Sequence, residues 1–151
     1  MKGYLVLAGF LLVTVGGGLA IGFVTRPGAW YAGLVKPSFN PPNWIFAPAW
    51  TVLYVLIAVA GWRVFEREPG SAAMAVWAVA LALNFLWSPV FFGAQRPEAA
   101  LAVVAMLLAA IVVFIALAWH IDTSAALLFV PYAAWVAFAT LLNGEIVRRN
   151  P

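Results

Sequence analysis

Five long, mainly apolar runs dominate this chain: Tyr4 to Val24, Phe46 to Val64, Ala72 to Phe92, Ala99 to Trp119 and Ala125 to Val147. A helix needs roughly 20 mainly apolar residues to cross about 30 Å of hydrocarbon, so each run is long enough to span a bilayer. A transmembrane β-barrel would instead need short segments alternating apolar and polar residues. The continuous Leu, Ala and Val here predict an all-α membrane protein: a bundle of five transmembrane helices forming one domain over residues 1–151. Composition agrees, because only 9% of the residues are charged against about 25% in soluble domains. The opening stretch from Met1 to Phe23 imitates a secretory signal, with Lys2 ahead of an apolar core. Its length and the lack of a clear Ala-x-Ala exit make it a retained first helix.

Charge and side-chain chemistry remove several function classes. The net charge is +3, but the eight Lys and Arg are scattered singly between apolar runs, so they read as interfacial anchors rather than a nucleic-acid surface. Cysteine is absent, which excludes disulfides, thiolate metal sites and cysteine nucleophiles. His120 with Asp122 makes a weak metal or catalytic pair, and no metal site is expected. Glu145 reads as an interfacial partner of Arg148 at i+3. No paired carboxylates, nucleophile elbow or phosphate loop occurs. Lys2, Arg63 and Arg67 on one side oppose Arg26, Lys36, Arg96, Arg148 and Arg149 on the other. That bias places the first loop and the C-terminus in the cytoplasm and the N-terminus outside.

The connection from Thr25 to Ile45 holds Pro27, Pro37, Pro41 and Pro42 among Trp30, Tyr31, Phe39 and Trp44. Proline fixes φ and restricts its predecessor, so this loop is expected to be ordered and to fold over one mouth of the bundle as a lid. Asn43 is the expected N-cap of the second helix, with Pro48 tolerated near its first turn. Inside the spans each polar group is costly and therefore a functional candidate. Asn84 lies mid-span with Trp87 and Ser88 on its face, Trp50 and Tyr54 are i,i+4 neighbours, and Trp135 follows Pro131 by four. Leu81, Asn84, Trp87, Ser88 and Phe91 share one face; Ala78, Ala82, Phe85 and Pro89 share the other. Trp62 and Trp119 read as interfacial belt residues. Trp87 and Trp135 lie deeper, where ligand contact and helix packing both remain open. Pro89 and Pro131 each remove a backbone hydrogen bond and predict kinks. Gly18 with Gly22, and Ala78 with Ala82, allow close helix approach, either within the bundle or at a homodimer seam.

The stretch Trp30-Tyr31-x-x-Leu34-x-Lys36-Pro37-x-Phe39-x-Pro41-Pro42-x-Trp44, continuing to Trp50 and Leu53-Tyr54, resembles the TspO/MBR family of tryptophan-rich sensory and translocator proteins. Asn84-x-x-Trp87-Ser88-Pro89-x-Phe91-Phe92-Gly93 and Pro131-Tyr132-x-x-Trp135 match it too, so the resemblance covers essentially the whole chain. It implies a five-helix bundle, commonly homodimeric, with a pocket under the first loop for porphyrins such as haem and protoporphyrin IX. The matching ligand-binding positions are Tyr31, Pro41, Trp50, Tyr54, Asn84, Trp87, Trp135 and Ala139. The animal cholesterol motif needs a tyrosine before a basic residue, and Thr140 to Arg148 contains none.

The function expected from residues and resemblance together is a porphyrin-binding sensor or regulator of tetrapyrrole metabolism, with no required cofactor. A flat macrocycle would stack on Trp and Tyr faces while Asn84 and indole N–H groups orient it. The alternatives are a light- and oxygen-dependent porphyrin-degrading enzyme using Trp50 and Trp135, a transporter of porphyrin or another lipophile, and a ligand-free scaffold. The bacterial inner membrane is the expected location, with the outer membrane as the alternative.

Overall fold

The computed structural model describes residues 2–151, with the side chain of Lys2, one of the topology charges counted above, outside the described residues. Five helices are long and apolar enough to cross a membrane, and with a short loop helix they make six elements: α1 (Gly3–Val24), α2 (Ala29–Ala32), α3 (Asn43–Arg67), α4 (Ala72–Gly93), α5 (Pro97–Ala118) and α6 (Thr123–Arg149). No strand occurs among the described residues. The chain is an integral membrane protein of five spans.

The spans extend past the apolar runs at several ends, because helices close on capping and polar residues that hydropathy ignores. Thus α3 runs from Asn43 rather than Phe46 to Arg67 rather than Val64. Ser71 caps α4, its side chain accepting from the Met74 N–H at 3.3 Å. Asp122 caps α6 by accepting from the Ala125 N–H at 2.9 Å. The expected Asn43 cap is not formed. Pro42 occupies the cap with extended backbone (ψ 149°), and Asn43 is already helical. Pro89 and Pro131 do interrupt their helices. Proline has no N–H to give, so α4 widens into a π turn over Pro89–Gly93, closed by the Ala94 N–H on the Pro89 carbonyl at 2.8 Å. In α6 the chain pauses at Phe129 (ψ −9°) before resuming at Val130. A third irregularity, a π turn at Leu12–Gly16 in α1, had no proline to announce it.

Packing follows a ring in which neighbours run α1, α3, α6, α5, α4 and back to α1. The inward stripe of α5, Ala100, Val104, Leu107, Ile111, Phe114 and Ala118, keeps the three- and four-residue spacing of one helix face. Leu5, Leu12, Val52, Val79, Met106, Val112 and Leu141 point outward and are exposed, as a surface facing acyl chains should be.

Lipid supplies no hydrophobic drive between helices, so close backbone approach and interhelical hydrogen bonds must hold the ring. Each occurs. The Thr14 hydroxyl donates to the Tyr54 carbonyl at 2.9 Å, joining α1 to α3, and the Trp77 indole donates to the Ile57 carbonyl at 3.0 Å, joining α4 to α3. Gly18 lies directly under the Tyr54 ring, and a Cβ at Gly61 would stand 2.5 Å from the Trp77 ring. Ala78 and Ala82 face outward instead of packing within the bundle, but Phe85 does not share their exposure: it folds over Gly17 and packs against Tyr54, with ring centroids 6.1 Å apart.

Both expected belt tryptophans lie near span ends. Trp119 is exposed, and Trp62 stacks on Tyr4 and donates to Glu66 at 2.9 Å. At that end of the bundle Asp122 sits between Arg63 (3.1 Å) and Arg67 (2.8 Å), which makes it a structural ion-pair centre instead of a partner for His120. Burial pulls the Asp122 carboxyl upward, yet the hydrogen bonds from Arg63 and Ala125 and the two guanidinium charges outweigh it, and its pKa ends below the ordinary value of 3.8.

Candidate functional site

At the opposite end, the ring of helices encloses a cavity of about 410 Å³, within the size range of small-molecule sites. Its walls are built helix by helix. From α3, Phe46, Trp50 and Tyr54 sit at i, i+4 and i+8 and so fall on one stripe. Trp50 and Tyr54 stack with centroids 5.5 Å apart and planes 29° from parallel. From α4 come Asn84, Trp87, Ser88 and Phe91, the face anticipated from spacing. There Trp87 stacks on Phe91 at 5.1 Å and 29°. Helix α6 adds Val136, Ala139 and Asn143, and α1 contributes Gly18, which seats the Tyr54 ring, and Gly22, where the absence of a side chain leaves room. The first loop closes the wall with Pro27, Tyr31 and Asn40. Tyr31 is buried against Phe91 and Phe92, at 6.0 and 5.3 Å between centroids. Burial pushes its phenol above the ordinary range, with a smaller opposing effect from the Asn40 amide that donates to it at 3.3 Å.

Several polar side chains that the spans place in this apolar shell are paired with one another. Tyr54 donates its hydroxyl to Asn84 Oδ1 at 2.8 Å, and Asn84 Nδ2 donates to the Tyr132 hydroxyl at 2.6 Å, a chain that crosses from α3 through α4 to α6. The Trp87 indole N–H donates to Asn143 Oδ1 at 3.0 Å, and Asn143 Nδ2 donates to the Pro97 carbonyl at 2.9 Å, which adds α5. Ser88 bonds Thr25 across 2.5 Å, and because the Thr25 hydroxyl already donates to the Ile21 carbonyl at 2.7 Å, Ser88 is the donor. These contacts also tie the helices to one another. Asn84 and the Trp87 N–H hold the helices together in this state, so the cavity meets the Trp87 ring and what remains of the Asn84 amide's bonding capacity.

Of the residues expected at the site, Tyr31, Trp50, Tyr54, Asn84, Trp87 and Ala139 line the cavity. Pro41 and Trp135 do not. Pro41 offers its carbonyl to Asn40 at 3.3 Å, and Trp135 stands behind Trp50, edge to face at 6.4 Å and 90°, with Phe46 and Phe138 on its other sides. Asn143, Asn40 and Arg26 were missed. Asn143 could have been found as a buried-depth amide seven residues past Val136 on the inward face of α6; Arg26 and Asn40 carry no such signal because loop residues have no periodicity. No group of three His, Cys, Asp or Glu side chains able to hold a metal occurs among the described residues.

Fold and site together define a small five-span membrane protein with an aromatic cavity lined in part by its first loop. Comparison with known proteins narrows this class: residues 10–149 match the TspO/MBR family, and the chain belongs to it. It is 41% identical to Protein CrtK of Rhodobacter capsulatus over 136 residues, covering 87% of this chain and 85% of that one. It is 42% identical to the tryptophan-rich sensory protein of Cereibacter sphaeroides over 139 residues, covering 92% and 88%. The translocator protein of Sus scrofa is 39% identical over 155 residues, covering 97% and 91%.

Proposed function

We propose that this protein is a membrane sensor or regulator that binds a porphyrin, haem or protoporphyrin IX, in the cavity beneath the first loop, with that loop acting as a lid. The observation that carries the reading is the pair of stacked aromatic faces, Trp50 on Tyr54 and Trp87 on Phe91, presented to one cavity from different helices. Flat π surfaces reward a flat conjugated ligand, and each aromatic contact adds about 0.5–1.5 kcal/mol beyond the area it buries. The family's printed names, sensory protein and translocator protein, fit a binding role.

Titrating detergent-purified protein with protoporphyrin IX while following tryptophan fluorescence tests this. Saturable quenching with a Kd raised at least tenfold in Trp50→Ala and Trp87→Ala is expected. Equal affinity in both variants and the parent would overturn the reading. The same samples held in light report on the enzymatic alternative, since only a degrading enzyme would lose macrocycle absorbance faster than a Trp50→Phe variant.

We further propose that the first loop and C-terminus face the cytoplasm across a bacterial inner membrane, and that the chain pairs as a homodimer. In support, Val35 and Asn150 touch, which puts the loop and C-terminus at the same end of the bundle. For the dimer, Ala75, Ala78, Val79, Ala82 and Leu86 give α4 an exposed face of mostly small residues.

A further inference from the structure

Charge is distributed unevenly around the cavity. Arg26 is the one cationic residue lining it, and no acidic residue lines it among those described. At this end of the bundle Arg148 and Arg149 hold Glu145, and Lys36 donates to the Ala32 and Leu34 carbonyls while lying over the Tyr31 ring; at the far end Arg63 and Arg67 hold Asp122. Arg26 takes part in none of the ion pairs among the described residues; its guanidinium lies 5.0 Å from the Phe23 ring centroid. A second polar group in the cavity wall is also unspent. Asn40 Oδ1 is buried and accepts no hydrogen bond, although the Nδ2 of the same amide is used. Buried acceptors are nearly always paired, so an orphan in a cavity wall marks a place where a ligand donor fits.

We propose that Arg26 makes the rim of the cavity a carboxylate subsite, so that the site selects flat amphiphiles carrying an acid over neutral compounds of the same shape. The inference rests on the ligand reading above and adds its charge selectivity. A guanidinium binds a carboxylate through charge-assisted, often bidentate hydrogen bonds. Beside an apolar wall at the membrane surface the attraction is stronger than in bulk water, because the local dielectric is lower. Asn40 Oδ1 receives an N–H or O–H of the same ligand. A lipid phosphate shares the carboxylate's chemistry toward Arg26, and the test must separate the two.

Protoporphyrin IX and its dimethyl ester share one macrocycle and differ in the acid groups. Their Kd values are measured by tryptophan quenching on the parent, Arg26→Gln and Arg26→Lys in phosphatidylcholine nanodiscs, and again with phosphatidylglycerol added. The expected result is that the acid-over-ester preference of the parent falls at least tenfold in Arg26→Gln and is partly kept in Arg26→Lys. Added phosphatidylglycerol should leave the parent's preference unchanged. A preference identical in the parent and both variants overturns the subsite while leaving the cavity reading intact. Collapse of the preference on adding phosphatidylglycerol also overturns it, showing Arg26 to be a lipid anchor. Failure of both compounds to bind the parent removes the cavity reading itself, and the subsite with it.

Discussion

At the scale of single residues, one amide and one glycine do more than sequence position announces. Asn84 is nearly fully buried and bridges two tyrosine hydroxyls, so Asn84→Leu strands both in a dry interior. Each unpaired buried group costs about 1–3 kcal/mol, and we expect Asn84→Leu to lose on the order of 2 kcal/mol in reversible unfolding from mixed micelles. A loss below roughly 0.5 kcal/mol would mean the hydroxyls find other partners. Gly18 is a steric requirement of a different kind: a Cβ there falls inside the Tyr54 ring. Gly18→Ala should cost about 1–3 kcal/mol by the same assay, because ring and helix must both shift. The residue types at the site were legible in the sequence, since Asn84, Trp87, Trp50 and Tyr54 sit where a membrane interior makes polar atoms expensive. Their pairings were not. That the Trp87 N–H goes to Asn143 depends on how α4 and α6 are rotated, and hydropathy carries no such information.

At the scale of elements, the first loop and α6 are joined by an unusual clasp. The Val35 N–H donates to Asn150 Oδ1 at 3.0 Å, and Asn150 Nδ2 donates back to the Val35 carbonyl at 2.8 Å, so one side chain mimics a strand partner. Asn150→Ala should raise amide exchange of Val35 roughly tenfold, the equivalent of one lost hydrogen bond of about 1.4 kcal/mol, while exchange in α5 stays unchanged. The start of α6 depends on Asp122. Because its pKa is lower folded than unfolded, its stabilising contribution is present above the unfolded value near 3.8 and is lost as pH falls through the folded value. Asp122→Ala should therefore cost about 0.5–2 kcal/mol through the lost cap at pH 7, and the gap to the parent should narrow on acidification below pH 4, read from thermal melts across pH. The five spans were legible because hydropathy reports length directly. The helix ends and the π turn in α1 were not, since they turn on caps and on contacts made by other helices.

At the scale of the whole molecule, the Val35–Asn150 contact ties two distant chain segments to one face of the bilayer. Cysteine introduced singly at Ser38 and at Asn150, in a chain with no native cysteine, should react with an impermeant maleimide from the same side of sealed vesicles. Labelling from opposite sides would contradict the arrangement. The pairing proposed along the outward face of α4 predicts that Ala82→Trp lowers the dimer fraction in cross-linking, whereas Val52→Trp on α3 leaves it unchanged.

The seating of α1 limits how this molecule can move. Its two buried residues, Thr14 and Gly18, are both engaged by Tyr54, one through the backbone carbonyl and the other through the ring. Sliding the helix by one turn would carry Gly22 to the notch that Gly18 fills, but would put a bare glycine where the threonine hydroxyl is needed, so a piston stroke is penalised in either direction. The α1 wall of the cavity is thereby locked in register against α3.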